Sequence, residues 1–177
     1  VDAVWVGGTL VERAADGRLH NSAPVFDRGR EVARYRKRRL MPGEAAAGLA
    51  PGQEPVVVTV RGWRLGLLVC ADVLDPAAYD DLAPHRPDLV AVPTHSPLRP
   101  VDPPGEKLAR DQAYFEAGAR RTGAWVLKAC TVGGVYGRRA QGRSLIAGPR
   151  GVLRRVEPAG EAEECWLSAD LEIAPRA

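Results

Sequence analysis

The stretch that most constrains this chain runs Arg64-Leu65-Gly66-Leu67-Leu68-Val69-Cys70-Ala71-Asp72-Val73-Leu74-Asp75-Pro76. Leu65 to Val69 is an apolar run short enough for a buried strand. It stops at Cys70, and polar residues and a proline follow within a few positions. A strand that ends on a cysteine and turns sharply is how α/β enzymes present a nucleophile. The turn lifts the side chain off the sheet edge, and a following backbone N–H can face the reacting carbonyl. The plainer alternative is a small residue closing a buried strand, because free cysteine packs like a small hydrophobe. What flanks the stretch favours the nucleophile.

Around it, 177 residues with 45% hydrophobic and 27% charged content describe one globular domain, residues 1–177, with room for a substantial core. No apolar run approaches the roughly 20 residues of a membrane helix, and no signal-peptide pattern is present. The three cysteines, Cys70, Cys130 and Cys165, are odd in number and form no metal-like pair. They argue against a disulfide framework and point to a reducing cytoplasm. Three dispersed histidines, His20, His85 and His95, give a metal site little to build with. No metal or other cofactor is expected. The net charge of +3 is too mild to imply nucleic acid. Its excess is local: Arg28, Arg30, Arg34, Arg36, Lys37, Arg38 and Arg39 stand against Glu31 alone. A solvated face is the ordinary reading of that run, and a polyanion site the bolder one.

In chain order, Val4 to Leu10 reads as a strand, Asn21 to Phe26 as a second and Glu31 to Tyr35 as the start of a third. Leu40 to Pro55 reads as a long Pro/Gly/Ala loop of the kind that often carries function. Val56 to Val60 and the Cys70 strand pair as a hairpin about Arg61-Gly62. Asp75-Pro76 opens a helix through Leu82, and Asp88 to Pro93 is a short buried strand. A Pro-rich loop from Thr94 to Pro104 leads into a helix from about Glu106 to Thr122, ended by Gly123. Strands follow at Ala124 to Cys130 and Ser144 to Ala147, with a Gly/Arg loop from Gly133 to Gly142 between them. Val152 to Val156 and Glu164 to Leu171 read as closing strands. Many strands with two clear helices predict an α+β layered sandwich.

Four segments in this order resemble the nitrilase, or carbon–nitrogen hydrolase, superfamily. They are Asn21 to Asp27; Tyr35-Arg36-Lys37-Arg38-Arg39-Leu40-Met41-Pro42-Gly43-Glu44; Gly66 to Asp72 with Asp75-Pro76; and Gly142 to Ile146 with Pro149-Arg150-Gly151. The resemblance implies an αββα four-layer sandwich, a dimer or larger homo-oligomer, and hydrolysis of an amide or nitrile C–N bond in a small molecule. It assigns Cys70 as the nucleophile forming a thioester-type intermediate. Lys37 would stabilise the oxyanion together with the backbone N–H of Ala71, and Glu44 would support Lys37 or position water. The chemistry stands apart from the name: an ordinary thiol is mostly protonated at neutral pH and needs a base and an electropositive setting.

Two departures qualify it. Ala71 and Asp75 replace bulkier residues of the family pattern, which alters the pocket. The family also opens with a strand, a helix and a second strand ending in a glutamate base, and this chain starts after such a segment. On that reading it is incomplete at the N-terminus, and Glu12 is not assigned the base role. The same intermediate permits acyl transfer, and an inactive truncated relative acting as a binding or assembly module is the competing class.

Overall fold

The computed structural model describes residues 2–97, 104–135 and 137–173. Two sheets carry the fold. The first holds β1 (Val4–Val6), β2 (Leu10–Arg13), β3 (Leu19–Asp27) and β4 (Arg30–Arg36), all antiparallel, with β3 paired to each of the others. A short helix α1 (Pro42–Ala46) leads to the second sheet. That sheet comprises β5 (Val56–Val60), β6 (Trp63–Leu67), β7 (Leu89–Thr94), β8 (Trp125–Cys130), β11 (Leu145–Gly148) and β12 (Gly151–Arg155), in the order β12-β11-β8-β7-β6-β5. Within it β6, β7 and β8 run parallel, and the outer pairs are antiparallel. A two-stranded ribbon, β9 (Gly134–Val135) and β10 (Arg138–Arg139), projects between β8 and β11.

The local chemistry explains the hairpins. Arg61 and Gly62, with φ of 50° and 80°, close β5 onto β6, and Arg28 and Gly29, with φ of 48° and 78°, close β3 onto β4. Both are two-residue turns with two positive φ angles, whose twist matches that of the flanking strands. The parallel strands need crossovers, and helices supply them. A 3-10 turn (Cys70–Leu74) and α2 (Ala77–Asp80) join β6 to β7. The connection from β7 to β8 uses α3 (Pro104–Asp111), a π-helical stretch (Gln112–Glu116) and α4 (Ala117–Thr122).

One buried cluster joins Ala23, Val25 and Tyr35 of the first sheet to Leu65, Leu67, Val90, Val92 and Val126 of the second, so the sheets pack face to face. Tyr79, Leu82, Phe115 and Ala119 extend this core to the helices behind the second sheet. The predicted α+β sandwich is the observed one. Three local readings are corrected. The Leu40 to Pro55 stretch is not all loop, because Pro42 at a first helical turn and Glu44 in that turn start α1. Val4 to Leu10 is two strands, broken at the Gly7-Gly8 pair. Glu164 to Leu171 forms no strand: it is mostly exposed, with Trp166 94% accessible, and finds no sheet edge. Residues 98–103 of the Pro-rich loop lie outside the described residues.

Gly118 marks the tightest helix contact: a Cβ there would sit 2.2 Å from the Tyr79 ring. Tyr79 is fully buried and cannot swing away. Gly118→Ala is expected to destabilise by about 1 to 3 kcal/mol, as overpacking does. Thermal unfolding should show a Tm lower by several degrees, and an unchanged Tm would mean that α2 and α4 are not packed this way.

Candidate active site

The site sits at the edge of the second sheet where β6, β7 and β8 end. Cys70 follows β6 with φ of 48°, a left-handed conformation on a non-glycine residue. Such geometry costs on the order of 1 to 3 kcal/mol and persists only when its surroundings enforce it. Asp72, buried two residues on, is the enforcing group. Its Oδ2 accepts the Val69 N–H at 2.8 Å and the Tyr35 hydroxyl at 2.8 Å, and its Oδ1 accepts the Arg39 N–H at 2.7 Å. One carboxylate therefore clamps the cysteine turn onto β4 and the segment that follows it. Burial, then the neighbouring Asp72 charge, raises the Tyr35 pKa, so its hydroxyl stays a donor.

That clamped segment carries Lys37. The Lys37 side chain is buried, and its Nζ donates to Glu44 Oε2 at 2.6 Å. Glu44 also accepts the Met41 N–H at 2.6 Å and the Asn21 side-chain amide at 2.7 Å. Burial works to raise the Glu44 pKa. The hydrogen bonds from Lys37, Met41 and Asn21 outweigh it, and the carboxyl is held below its ordinary value. Glu44 thus has two parts: it caps α1 from its first turn, and it is the counter-ion of a buried ammonium. The Lys37 backbone is pinned by its N–H to Asn21 O at 2.8 Å and by the Gly52 N–H to its carbonyl at 2.9 Å.

The half-buried Cys70 thiol donates to the His95 carbonyl at 3.4 Å, just beyond β7. Ala71 is the second residue of the 3-10 turn, where the first N–H groups have no partner within the turn. Lys37 and Glu44 are thus in direct contact, and Asp72 links their segment to Cys70 and Ala71. Cys130 ends β8, and burial raises its thiol pKa. Cys165 is exposed on the C-terminal segment.

Reading by motif passed over Asp72 and Asn21. Asp72 had a signal, since it is the lone charge between Leu65 and Leu74. Asn21 had none, because its role depends on pairing across β3 and β4. Glu12 lies on the other face of the first sheet, paired with Arg34 and, at 2.8 Å, with Arg36. The basic run is matched internally rather than gathered into a patch. Arg28 pairs with Asp2, Arg34 also with Glu31, Arg38 with Asp81 and Arg39 with Asp75. Among the described residues no His/Cys/Asp/Glu group is arranged to hold a metal, and no helix is long and apolar enough to cross a membrane.

The carbon–nitrogen hydrolase family model matches residues 2–174. This chain belongs to that family. It is 34% identical over 139 residues to a hydrolase of Mycobacterium tuberculosis, covering 71% of this chain and 45% of that one. An (R)-stereoselective amidase of a Pseudomonas species is 29% identical over 144 residues, covering 79% of this chain and 52% of the relative. The solved amidase of Nesterenkonia sp. AN1 superposes with a TM-score of 0.72 at 28% identity, covering 86% of this chain and 56% of that one. That structure shows the acetamide moiety of fluoroacetamide added covalently to its active-site cysteine. The nitrilase-type sandwich is therefore the fold, and this hydrolase-family chain spans about half the length of these relatives.

Two outcomes test the geometry. Glu44→Gln leaves buried Lys37 without its counter-ion, and because Glu44 is partly exposed the expected cost is about 1 to 3 kcal/mol, below that of a fully buried pair. A carboxyl whose pKa is lowered on folding adds stability above its unfolded pKa and loses it as pH falls through the folded one. Wild type and Glu44→Gln should therefore converge in acid unfolding only as pH falls through the lowered folded-state pKa of Glu44, below the ordinary glutamate range. Asp72→Asn presents an NH₂ or a weaker acceptor to three donors, and a loss of about 3 kcal/mol or more is expected in urea unfolding. Parity with wild type would show that the clamp is not formed.

Proposed function

We propose that Cys70 is the nucleophile of an amidase-type hydrolase that cleaves a non-peptide amide C–N bond. The observation that carries this is the strained cysteine turn, held by Asp72 against the segment bearing the Lys37–Glu44 pair. On this reading the Cys70 sulfur attacks the amide carbon as its proton leaves for a base. The Lys37 ammonium and the Ala71 N–H stabilise the oxyanion. The C–N bond then breaks, the nitrogen departs with a proton as ammonia or amine, and a thioester remains on Cys70. Water attacks the thioester, oriented by Glu44, releasing the carboxylic acid and restoring the thiol. The same cysteine can instead add to a nitrile carbon, giving a thioimidate that water converts to the thioester with loss of ammonia. The thioester can also pass its acyl group to another amine, so the amide preference rests on the two amidase relatives.

The strained setting also predicts selective chemistry. Fluoroacetamide or iodoacetamide should label Cys70 well ahead of Cys130, whose thiol pKa is raised by burial. It should also lead Cys165, which is exposed on the C-terminal segment outside any turn that strains its backbone. Peptide mapping by mass spectrometry reads all three. Equal rates at the three thiols would undo the nucleophile assignment. Ammonia release from short aliphatic amides should fall by a factor of about 10³ or more in Cys70→Ala, as loss of a nucleophile does. A chain that labels at Cys70 yet releases no ammonia from any amide is instead a binding or assembly module on this fold.

A further inference from the structure

A cavity of about 200 Å³ opens between α3 and the β11–β12 end of the second sheet, lined by Lys107, Asp111, Arg143, Ser144, Arg155 and Glu157, among others. Lys107 and Asp111 come from α3, Arg143 and Ser144 lead into β11, and Arg155 ends β12. None of the lining residues belongs to the Cys70, Lys37 and Glu44 group. The helix that supplies Lys107 runs on into the π-helical stretch (Gln112–Glu116), a distortion that proteins often keep at functional positions.

The wall holds more positive charge than its carboxylates cancel. Lys107 and Lys128 are both buried, and both donate to one atom, Asp111 Oδ1, at 2.8 Å and 3.1 Å. Lys128 is not itself in the lining; its Nζ lies 4.8 Å from the Phe115 ring centroid, a contact that tolerates the charge without cancelling it. Arg143, also buried, is paired with Glu161. Arg155 is half-buried and has no carboxylate partner among the described residues. Glu157, the remaining carboxylate of the lining, is exposed. Charges kept from water without a counter-ion are costly, and a bound anion removes that cost. Burial and the neighbouring Lys128 lower the Lys107 pKa to about 8, the response of a cation crowded by another and short of negative charge.

Hydrogen-bond donors around the cavity are also unspent. Lys107 Nζ uses one of its three hydrogens on Asp111. Ser144 Oγ accepts the Cys130 N–H at 2.9 Å, a bond that leaves its own hydrogen free. The Arg155 guanidinium brings a planar fork of N–H groups that matches phosphate oxygens. We propose that this cavity is a phosphate-binding site, built from Lys107, Ser144 and Arg155 and separate from the chemistry of Cys70. A carboxylate carries a single charge and two oxygens in one plane. A phosphate group presents three acceptor oxygens and about two negative charges, which answers both the donors of three segments and the excess of cations. The volume is below the roughly 300 Å³ at which pockets take up a whole drug-sized ligand. The occupant is therefore inorganic phosphate or the phosphate of a small monoester. The site stands whether or not Cys70 cleaves amides.

Titration calorimetry on the full chain in phosphate-free buffer tests this, with inorganic phosphate and glycerol 3-phosphate as probes. Phosphate should bind at a single site and weaken by about tenfold or more in Arg155→Gln and in Lys107→Met, the loss of one charge-assisted hydrogen bond. Asp111 keeps Lys128 as its partner in Lys107→Met, and Arg155 has no carboxylate to leave behind, so both variants should keep the wild-type Tm. Arg154→Gln, at the exposed neighbour in β12, removes the same charge outside the cavity and should leave binding within a few-fold of wild type. Tighter binding of glycerol 3-phosphate assigns the site to a monoester, and tighter or equal binding of inorganic phosphate assigns it to the free ion; either upholds it. Absence of phosphate binding, binding that Arg155→Gln and Lys107→Met leave intact, or binding that Arg154→Gln weakens as much overturns the site. Acetate binding as tight as phosphate overturns its assignment to phosphate.

Discussion

A single buried carboxylate ties the segments around Cys70 and Lys37 together. Asp72 collects the Val69 N–H, the Tyr35 hydroxyl and the Arg39 N–H, one donor on β4 and two in the segments that follow β6 and β4. Without that charge the left-handed Cys70 would relax toward an ordinary turn, because nothing in a cysteine side chain favours positive φ. The clamp also couples the sheets. β4 delivers Tyr35 to the interface, and the residues after it deliver Lys37, so the cysteine turn and the lysine are fixed to one anchor. Strain at Cys70 and order in the lysine segment are two consequences of one charge.

Charge pairing organises the rest of the site in the same way. Lys37 is tolerable inside the protein because Glu44 faces it at 2.6 Å, and Glu44 is held by a backbone N–H and an asparagine amide. The carboxylate of the pair is thereby hydrogen-bonded beyond its lysine, which lowers the cost of burying the ions. The Lys107–Asp111–Lys128 group breaks that balance with one carboxylate for two ammoniums.

The sequence made much of this architecture legible. Strong β-branched runs and two-residue turns located the hairpin of β5 and β6, and the apolar run before Cys70 located a buried strand. Pattern failed where contacts decide. Glu164 to Leu171 alternates like a strand yet has no edge to join. Pro42 and Glu44 carry helix-start signals that a Gly/Ala-rich context obscured. The basic run from Arg28 to Arg39 looked like a patch, but its members face different carboxylates, Glu12 and Asp81 among them, that are distant in sequence.

What the sequence determined by itself was local: which residues are strands, where the chain turns, and that a cysteine, a lysine and a glutamate stand in the order of a carbon–nitrogen hydrolase. Short-range sterics and hydrophobic period fix such features within a few residues. Only the tertiary structure decided which charges meet. Asp72 lies 37 residues from Tyr35, Asn21 23 residues from Glu44, and Asp111 17 residues from Lys128. Electrostatic partners are set by distance in space and by exclusion of water, and neither is written in the spacing of residues along the chain.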